Sequence, residues 1–468
     1  MAEFDLVVIG SGPGGYVAAI RGAQAGKAVA LIEKDQLGGI CLNWGCIPTK
    51  ALLRSAEVYQ EVLHAQDFGI TVQSPDADLC AIVARSREVA KANSAGIAFL
   101  MKKNKVTVIE GRAKLLSNES GTVSLEIVSS DGSRRETSAL NVILATGARP
   151  RPLHIAPADG KQILNYRHAM SLDIQPSSLL VVGSGAIGLE LAWFFNALGT
   201  KVTLIEAAPQ IMPSEDAEIS RFLTLSLSKQ GIQCLAGATL HSLSSTETSV
   251  SAQVTDSKGV QQLLTADKAL IAVGMVPNTE ELGLVEVGIV QDDRGFIPVN
   301  DQMRTPAENI YAIGDCCGKQ MLAHKASAEA EIAIEAILGH NNSVDYTQIP
   351  ACLYCKPQVA SIGLNEARAK EQGVAYTIGR YPFQASGKAR ATGHTEGFIK
   401  LLFAQDSHKI IGAQILGSDA TEMIATMGIA LKQGMTSEQI GEVIYAHPTL
   451  SEAFADASLS SLKRAVHL

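Results

Sequence analysis

The chain has no apolar run of the eighteen or so residues that a membrane-spanning helix needs, so no membrane association is expected. It has no basic excess. Its 39 Lys and Arg are outnumbered by 47 Asp and Glu, for a net charge of −8. That balance denies it the positive face that nucleic acid demands, so no nucleic acid partner is expected. It is poor in cysteine, with 8 in 468 residues, which excludes a secreted disulfide scaffold. The first expected strand starts at Phe4, leaving no room before it for a signal or transit peptide. The expected compartment is therefore cytoplasmic. There, two cysteines close together are more readily catalytic than structural.

What is present is a soluble globular balance, 46% hydrophobic and 18% charged. A length of 468 residues is too great for one ordinary domain and predicts three or four. The chain centres on Gly38–Lys50, GGICLNWGCIPTK. Cys41 and Cys46 are close enough to open and close a disulfide with little chain movement, so they can store two electrons. Pro48 suits a first helical turn, and good helix formers follow it. Cys46 then lies at the positive end of a helix dipole, where a thiolate is stabilised. Lys50 comes four residues later and can face the same side. Such a couple needs an electron donor and an acceptor.

Two repeats supply candidates for both. FDLVVIG is an apolar strand entering Gly10-Ser-Gly12-Pro-Gly-Gly15, and a helix and a second strand ending in Glu33 follow. SLLVVGSGAIG repeats the pattern with Gly183, Gly185 and Gly188, followed by Glu206. First glycine to acid is 23 residues in both copies. Glycines let the backbone approach a pyrophosphate at a helix N-terminus, and the acid binds a ribose hydroxyl. A lone G-x-G-x-x-G is a weak signal. Two copies set between strand and helix, each with its acid, predict two dinucleotides on one chain. Glu206 repels a 2′-phosphate, and Ala207-Ala208 stand where an NADP enzyme would want arginines, so NAD is expected there.

Between the repeats come helical sequence over 51–103, a strand over 123–128, a turn at Asp131-Gly132 and a return strand over 141–145. That strand leaves through Thr146-Gly147-Ala148-Arg149-Pro150. ALIAVG, ending at Gly274, resembles this exit. NIYAIGD, ending at Asp315, is read as another strand. From about residue 348 the pattern turns to antiparallel strands and helices with no nucleotide fingerprint, which points to an interface domain. Cys316-Cys317 are read as ordinary thiols. So are Cys352 and Cys355, which on one strand would point to opposite faces.

With these residues in order, the chain resembles the dihydrolipoamide dehydrogenases, the flavin disulfide oxidoreductases of 2-oxo acid dehydrogenase complexes. The resemblance spans nearly the whole chain. It rests on the C-x4-C stretch with Pro48 and Lys50, both fingerprints, Asp315, and the ending His447-Pro448…Glu452. It implies an α/β fold with two Rossmann-like dinucleotide-binding domains, for FAD and NAD, and a C-terminal α+β dimerisation domain. The expected layout is FAD domain 1–147, NAD domain 148–273, central FAD segment 274–347 and dimerisation domain 348–468.

The resemblance further implies site roles. Cys46 would be the flavin-side, charge-transfer thiolate, and Cys41 the interchange thiol. Lys50 would lie near the flavin and pair with Glu190. Gly10, Gly12, Gly15 and Glu33 would serve FAD, with Ala113, Thr146, Gly147, Asp315 and the stretch Met321, Leu322, Ala323, His324. Gly183, Gly185, Gly188, Glu206 and Gly274 would serve NAD. His447 would be the acid–base for the other subunit's disulfide, oriented by Glu452. The implied partners are a second copy of the chain and the lipoyl-bearing subunits of 2-oxo acid dehydrogenase complexes or the glycine cleavage system.

Three alternatives remain open on the residues. Thr449-Leu-Ser-Glu452 also matches a helix capping box, in which the acid holds a backbone N–H. The nearest rival is another disulfide reductase, for glutathione or mercuric ion. The first would want NADPH-selecting arginines, and the second a C-terminal cysteine pair where this chain reads AVHL. A non-catalytic docking subunit is the third, opposed by intact Cys41, Cys46 and His447.

Overall fold

A computed structural model describes residues 2–468. The chain folds into two compact units, each built from three separate segments. The first takes the residues up to Leu52, then Cys80–Arg151 and Gly274–Tyr346. The second takes Leu53–Leu79, Pro152–Val273 and Thr347–Leu468.

In the first unit, β1 (Phe4–Ile9) runs parallel to β2 (Val29–Glu33), which runs parallel to β3 (Thr107–Glu110). On the other side, β4 (Arg112–Glu119), β5 (Thr122–Val128) and β6 (Arg134–Leu144) form an antiparallel meander, with β6 parallel to β1. The strand Ile310–Ala312 also pairs with β6. Val7, Ile9, Ala30 and Ile32 face one core, while Leu6, Val8, Val29 and Leu31 face another. Burial on both faces is why these strands read as unbroken apolar runs. Four helices belong to the early chain: α1 (Pro13–Gln24), α2 (Gly39–Asn43), α3 (Cys46–Leu63) and α4 (Leu79–Lys103).

Two details differ from expectation. The return strand begins at Arg134 rather than near residue 141, because Arg134–Ala139 pairs with β5, and the exposed polar residues at its start do not read as a strand. The strand expected to end at Asp315 stops at Ala312, and Gly314–Cys317 is a 3-10 turn.

The second unit repeats the strand–glycine turn–helix–strand pattern. Its parallel sheet runs Gln233–Ala236, Lys201–Glu206, Ser178–Val182, Lys268–Ile271, Ile163–Leu164. From Thr347 onward, a five-stranded antiparallel sheet carries the helices Ala420–Gln433 and Ala453–Ser460. Phe403, Ile415, Met427 and Phe454 share its core. The strand Ala351–Leu353 contains Cys352 but ends before Cys355, so the two cysteines do not share a strand as expected.

A buried cation ties the nucleotide-type and antiparallel parts of this unit together. Lys400 is 1% exposed, on the strand Phe398–Ala404. Its Nζ lies 3.0 Å from both oxygens of Asp216 and also bonds Glu366. Asp216 itself caps the helix Ala217–Lys229 through the N–H of Glu218. Burial pushes the Glu366 carboxyl up, but hydrogen bonds from Lys400 and Tyr376 outweigh it and leave the pKa lowered. Burial likewise opposes the Lys400 charge, and its acid partners outweigh that and leave its pKa raised. The Glu366 contribution is thus full above the ordinary carboxylate range and lost as pH falls through the lowered value. The Lys400 contribution is full below the ordinary lysine range and lost as pH climbs through the raised value. We predict that Lys400→Met destabilises the fold by roughly 3–5 kcal/mol, because it strands buried Asp216 without its cation. Thermal unfolding at neutral pH measures this, and an unchanged midpoint would refute it.

Candidate redox and dinucleotide sites

The first glycine turn is a close backbone contact. Gly10 has φ +99°, and a Cβ there would stand 2.3 Å from the Ala145 carbonyl oxygen. A Cβ at Gly15 would stand 1.8 Å from the Gly10 oxygen. These two glycines let α1 sit down on β1 and β6. Gly12 differs, since a Cβ there meets nothing within 4 Å. It opens to space at the head of α1, where N–H groups point outward. Glu33 braces the turn, accepting from Ser11 N–H at 2.8 Å, Ser11 Oγ at 2.6 Å, and the N–H groups of Lys34 and Asp35.

The redox stretch lies against this turn. A Cβ at Gly39 would be 2.8 Å from the Gly12 Cα. Gly38 N–H donates to Ser11 O at 3.1 Å. Cys41 lies on α2, and Cys46 is the first residue of α3. The Cys41 thiol is held up by its hydrogen bond with Cys46 and then by burial, with Lys50 pulling the other way. Tyr16 on α1 is raised by burial and by the charges of Cys41 and Cys46, so it stands beside the pair. The sequence carried no separate signal for Tyr16.

Asp315 sits in the 3-10 turn Gly314–Cys317. Burial raises its pKa, with Lys325 offsetting part of the effect. Behind the turn, Lys325 Nζ donates to Gly314 O at 2.9 Å, Gly318 O at 3.0 Å and Glu329 Oε2 at 3.0 Å. Glu329 Oε2 accepts from Gly314 N–H at 2.7 Å, and Oε1 from the Tyr346 hydroxyl at 2.8 Å. Both charged side chains are fully buried. Thr146 and Gly147 are fixed by Asn278, whose backbone N–H donates to Gly147 O at 2.9 Å while Thr146 Oγ1 donates to Asn278 O at 2.7 Å. Ala113 is buried on β4. Met321, Leu322, Ala323 and His324 lie at the head of the helix Ala323–Ile337. Gly274 falls in the first unit, where its carbonyl accepts the Arg151 N–H.

In the second unit the turn recurs. A Cβ at Gly183 would be 2.3 Å from Ala272 O, and one at Gly188 would be 2.0 Å from Gly183 O. Gly185 meets nothing within 4 Å. Glu206 accepts from Ser184 N–H at 2.8 Å, Ser184 Oγ at 2.6 Å and Ala208 N–H at 2.7 Å. The two serines were missed as bracing residues, although the shared Gly-Ser-Gly of both copies was their signal. Glu190 is buried on the helix Ala186–Ala197 and accepts the Tyr354 N–H at 3.1 Å. His447 Nδ1 lies 2.8 Å from Glu452 Oε1, and Thr449 N–H donates to Glu452 Oε2 at 2.8 Å. The carboxylate thus meets both His447 and the Thr449 N–H, but Glu452 itself is the residue that precedes the helix Ala453–Ser460, so Thr449 does not head a helix capping box. The Thr449 N–H and then His447 hold its pKa below the usual range. His447 itself is 82% exposed.

The other cysteines are placed as plain thiols. Cys316 Sγ donates to the Ile313 carbonyl at 3.2 Å, and burial pushes its pKa up to about 11. Cys317 donates to Gly314 O at 3.1 Å and is also raised by burial. Burial raises Cys234 to about 11. No cluster that could hold a metal ion occurs among the described residues, and none of their helices is long and apolar enough to cross a membrane.

Comparisons with known proteins agree with this geometry. The family described as pyridine nucleotide-disulphide oxidoreductase matches residues 4–330, and its dimerisation domain matches residues 349–458. The chain is 46% identical to a dihydrolipoyl dehydrogenase of Zymomonas mobilis, over 99% of each chain. It is 43% identical to one of Rhizobium etli, over 100% of each. Among solved structures, LpdA of Mycobacterium tuberculosis superposes with a TM-score of 0.90 at 30% identity, covering 97% of this chain and 99% of that one. A Cu(II) complex of the HOCl-induced flavoprotein disulfide reductase RclA of Escherichia coli gives 0.87 at 27%, covering 98% and 99%. Two glycine turns, each braced by serine and acid, a cysteine pair against the first, and matches over nearly the whole length lead to one conclusion: this chain belongs to the FAD- and NAD-using pyridine nucleotide-disulphide oxidoreductase family, among relatives named dihydrolipoyl dehydrogenase.

Proposed function

We propose that the chain is an NAD-linked dihydrolipoyl dehydrogenase, oxidising protein-bound dihydrolipoamide to lipoamide through the Cys41–Cys46 couple. The observation that carries this reading is the seat of the redox stretch on the first glycine turn, Gly39 against Gly12. It supports placing a bound flavin and the sulfurs together. FAD fits the residues there. Gly12 opens outward at a helix head, and the half-buried Asp315 offers carboxylate oxygens that can accept from hydroxyl groups. Gly10, Gly15, Glu33, Ala113, Thr146, Gly147 and Met321–His324 complete the proposed FAD set. Glu33 already accepts four hydrogen bonds, so a ribose hydroxyl would share one of those positions. Glu206 accepts three, which leaves a carboxylate lone pair for the NAD ribose. Gly183, Gly185, Gly188 and Gly274 complete that set. The domain layout proposed above goes with these assignments.

The chain's own residues account for the thiol chemistry. A dihydrolipoamide thiol near its free pKa attacks poorly until a base removes its proton. His447 is that base, its Nδ1 oriented by Glu452 and its other nitrogen free to face substrate. The substrate thiolate attacks the Cys41 sulfur and Cys46 leaves as a thiolate. The second substrate thiol then displaces Cys41, closing the lipoamide ring. Two electrons thus pass to the cysteine pair, and the protons to His447 and solvent. Lys50 at the helix head supports the thiolate that remains, with Glu190 as its proposed partner. When bound, FAD supplies the two-electron chemistry that carries the equivalents on to NAD. The matched dimerisation domain supports a homodimer in which His447 serves the partner subunit's disulfide. The proposed macromolecular substrates are lipoyl-bearing subunits of 2-oxo acid dehydrogenase complexes or of glycine cleavage. The proposed compartment is the cytoplasm, where surroundings keep a catalytic dithiol reduced.

The decisive test is a steady-state assay of the holoenzyme with dihydrolipoamide plus NAD against NADPH plus oxidised glutathione. Greater turnover with the second pair would overturn the proposal. His447→Gln should lower kcat with dihydrolipoamide by about 10²–10⁴-fold while FAD content stays intact, the size typical of a lost acid–base. The glycines divide into two classes. Gly185→Ala should leave thermal stability within about 0.5 kcal/mol but weaken NAD binding, since its Cβ points into open space. Gly188→Ala should cut stability by about 2 kcal/mol or more, since its Cβ strikes a backbone oxygen. Titration of NAD and thermal melts separate the two outcomes, and equal behaviour of the pair would refute the division.

A further inference from the structure

Three consecutive residues of α4 hold two carbonyls of the redox stretch and the carbonyl of Ala51, which follows it. Arg85 Nη1 donates to Ala51 O at 2.9 Å, Ser86 Oγ to Pro48 O at 3.1 Å, and Arg87 Nη1 to Asn43 O at 2.7 Å. Ser86 is fully buried. The Arg87 guanidinium also lies 4.4 Å from the ring centroid of Trp44. Asn43 and Trp44 stand between the two cysteines, whereas Pro48 and Ala51 lie on the helix that Cys46 begins. One helix thus grips both cysteine-bearing segments, α2 at its last residue and α3 along its first turns. Asn43 adds a grip of its own, its Nδ2 donating to Leu37 O at 3.0 Å and Gly39 O at 2.9 Å.

The Arg87 position is a costly one. Its Nε and Nη2 are buried with no hydrogen-bond partner among the described residues, and burial lowers its pKa. An arginine serving only solubility would sit where water satisfies all five donors. Nor is the gain mainly electrostatic at the thiols. What acts on Cys41 is its hydrogen bond with Cys46 first, then burial, with Lys50 opposing, and Arg87 has no part in it. What Arg87 supplies is geometry: one Nη1 donor on the Asn43 carbonyl, with the planar guanidinium laid over an indole.

We propose that Arg87, with Ser86 and Arg85, is a positioning device for the disulfide couple, holding the Asn43-Trp44 link so that Cys41 and Cys46 stay at closing distance in the dithiol state. Disulfide closure depends on the effective concentration of one thiol at the other, which a held link raises and a loose link lowers. The device rests on the redox role proposed above for the pair, but its test does not need the lipoyl substrate.

The holoenzyme is equilibrated with reduced and oxidised dithiothreitol, and Cys41 and Cys46 are quantified by alkylation and mass spectrometry. Arg87→Met should retain stoichiometric FAD and shift the equilibrium about ten-fold toward the dithiol. Arg87→Lys, which keeps the cation and a donor but not the planar face on Trp44, should recover only part of that shift. Ser86→Ala, a smaller change, should move it about three-fold in the same direction. In the dihydrolipoamide assay, kcat of Arg87→Met should fall while KM for NAD stays within two-fold. If Arg87→Met holds its flavin and the equilibrium stays within two-fold of the unaltered enzyme, the device is refuted. If Arg87→Met does not fold, an unshifted Ser86→Ala refutes it. A pair that never closes in the unaltered enzyme overturns the redox reading itself, and an inactive enzyme with a normal, Arg87-sensitive couple overturns only the substrate.

Discussion

Backbone lies on backbone, with no side chain between, where α1 meets β1. Everything else in the first unit is arranged around that approach. Gly15 cannot carry a Cβ because the Gly10 oxygen occupies its place, and Gly10 cannot because Ala145 does. The helix head is thereby brought down to the sheet's edge, where its N–H groups face outward. Gly39 makes the same kind of approach to Gly12 from the opposite side. The cysteine pair is delivered to the dinucleotide turn by the absence of side chains rather than by any attraction between them. A methyl group at Gly10, Gly15 or Gly39 would strike backbone and force these segments apart.

The acids that follow each turn have a structural part of their own. Glu33 and Glu206 both clasp the serine inside their own Gly-Ser-Gly, by its N–H and its hydroxyl. Each turn is thus locked before any ligand arrives, which reduces the ordering cost of binding. Buried charge acts similarly elsewhere. Lys325 and Glu329 pin the Asp315 turn from behind, and Lys400 pins the helix capped by Asp216. In every case an ion is removed from water and repaid by several hydrogen bonds of good geometry. Such ions specify one arrangement of the chain more than they add stability.

Much of this was legible in the residues. The nucleotide repeats were visible because glycine spacing, an apolar strand and a terminal acid each have a local physical cause. The redox stretch was visible because two thiols beside a helix start have few other uses. Less legible were the residues that act across the fold. Lys400 reads as an ordinary alternating polar position in FIKLLFA, and its acid partners come from chain segments 184 and 34 residues away. Tyr16 is one more position on α1 until the fold brings it to the cysteines. Arg87 is one charge among many on a long helix until that helix lies behind Trp44. The start of β6 was hidden because its exposed half carries the polar residues of a loop.

The residues alone pointed to the two glycine turns, the cysteine pair, the acid that follows each turn and the histidine–glutamate ending. Each is a local constellation whose chemistry depends on spacing along the chain. Only the tertiary structure decided that Glu452 serves His447 and Thr449 at once, one oxygen to each. It alone brought the cysteine segment onto the first turn and laid α4 behind both cysteine-bearing segments. The reason is physical. A spacing rule reports which atoms neighbours can share, whereas a contact between distant segments is set by packing the whole core.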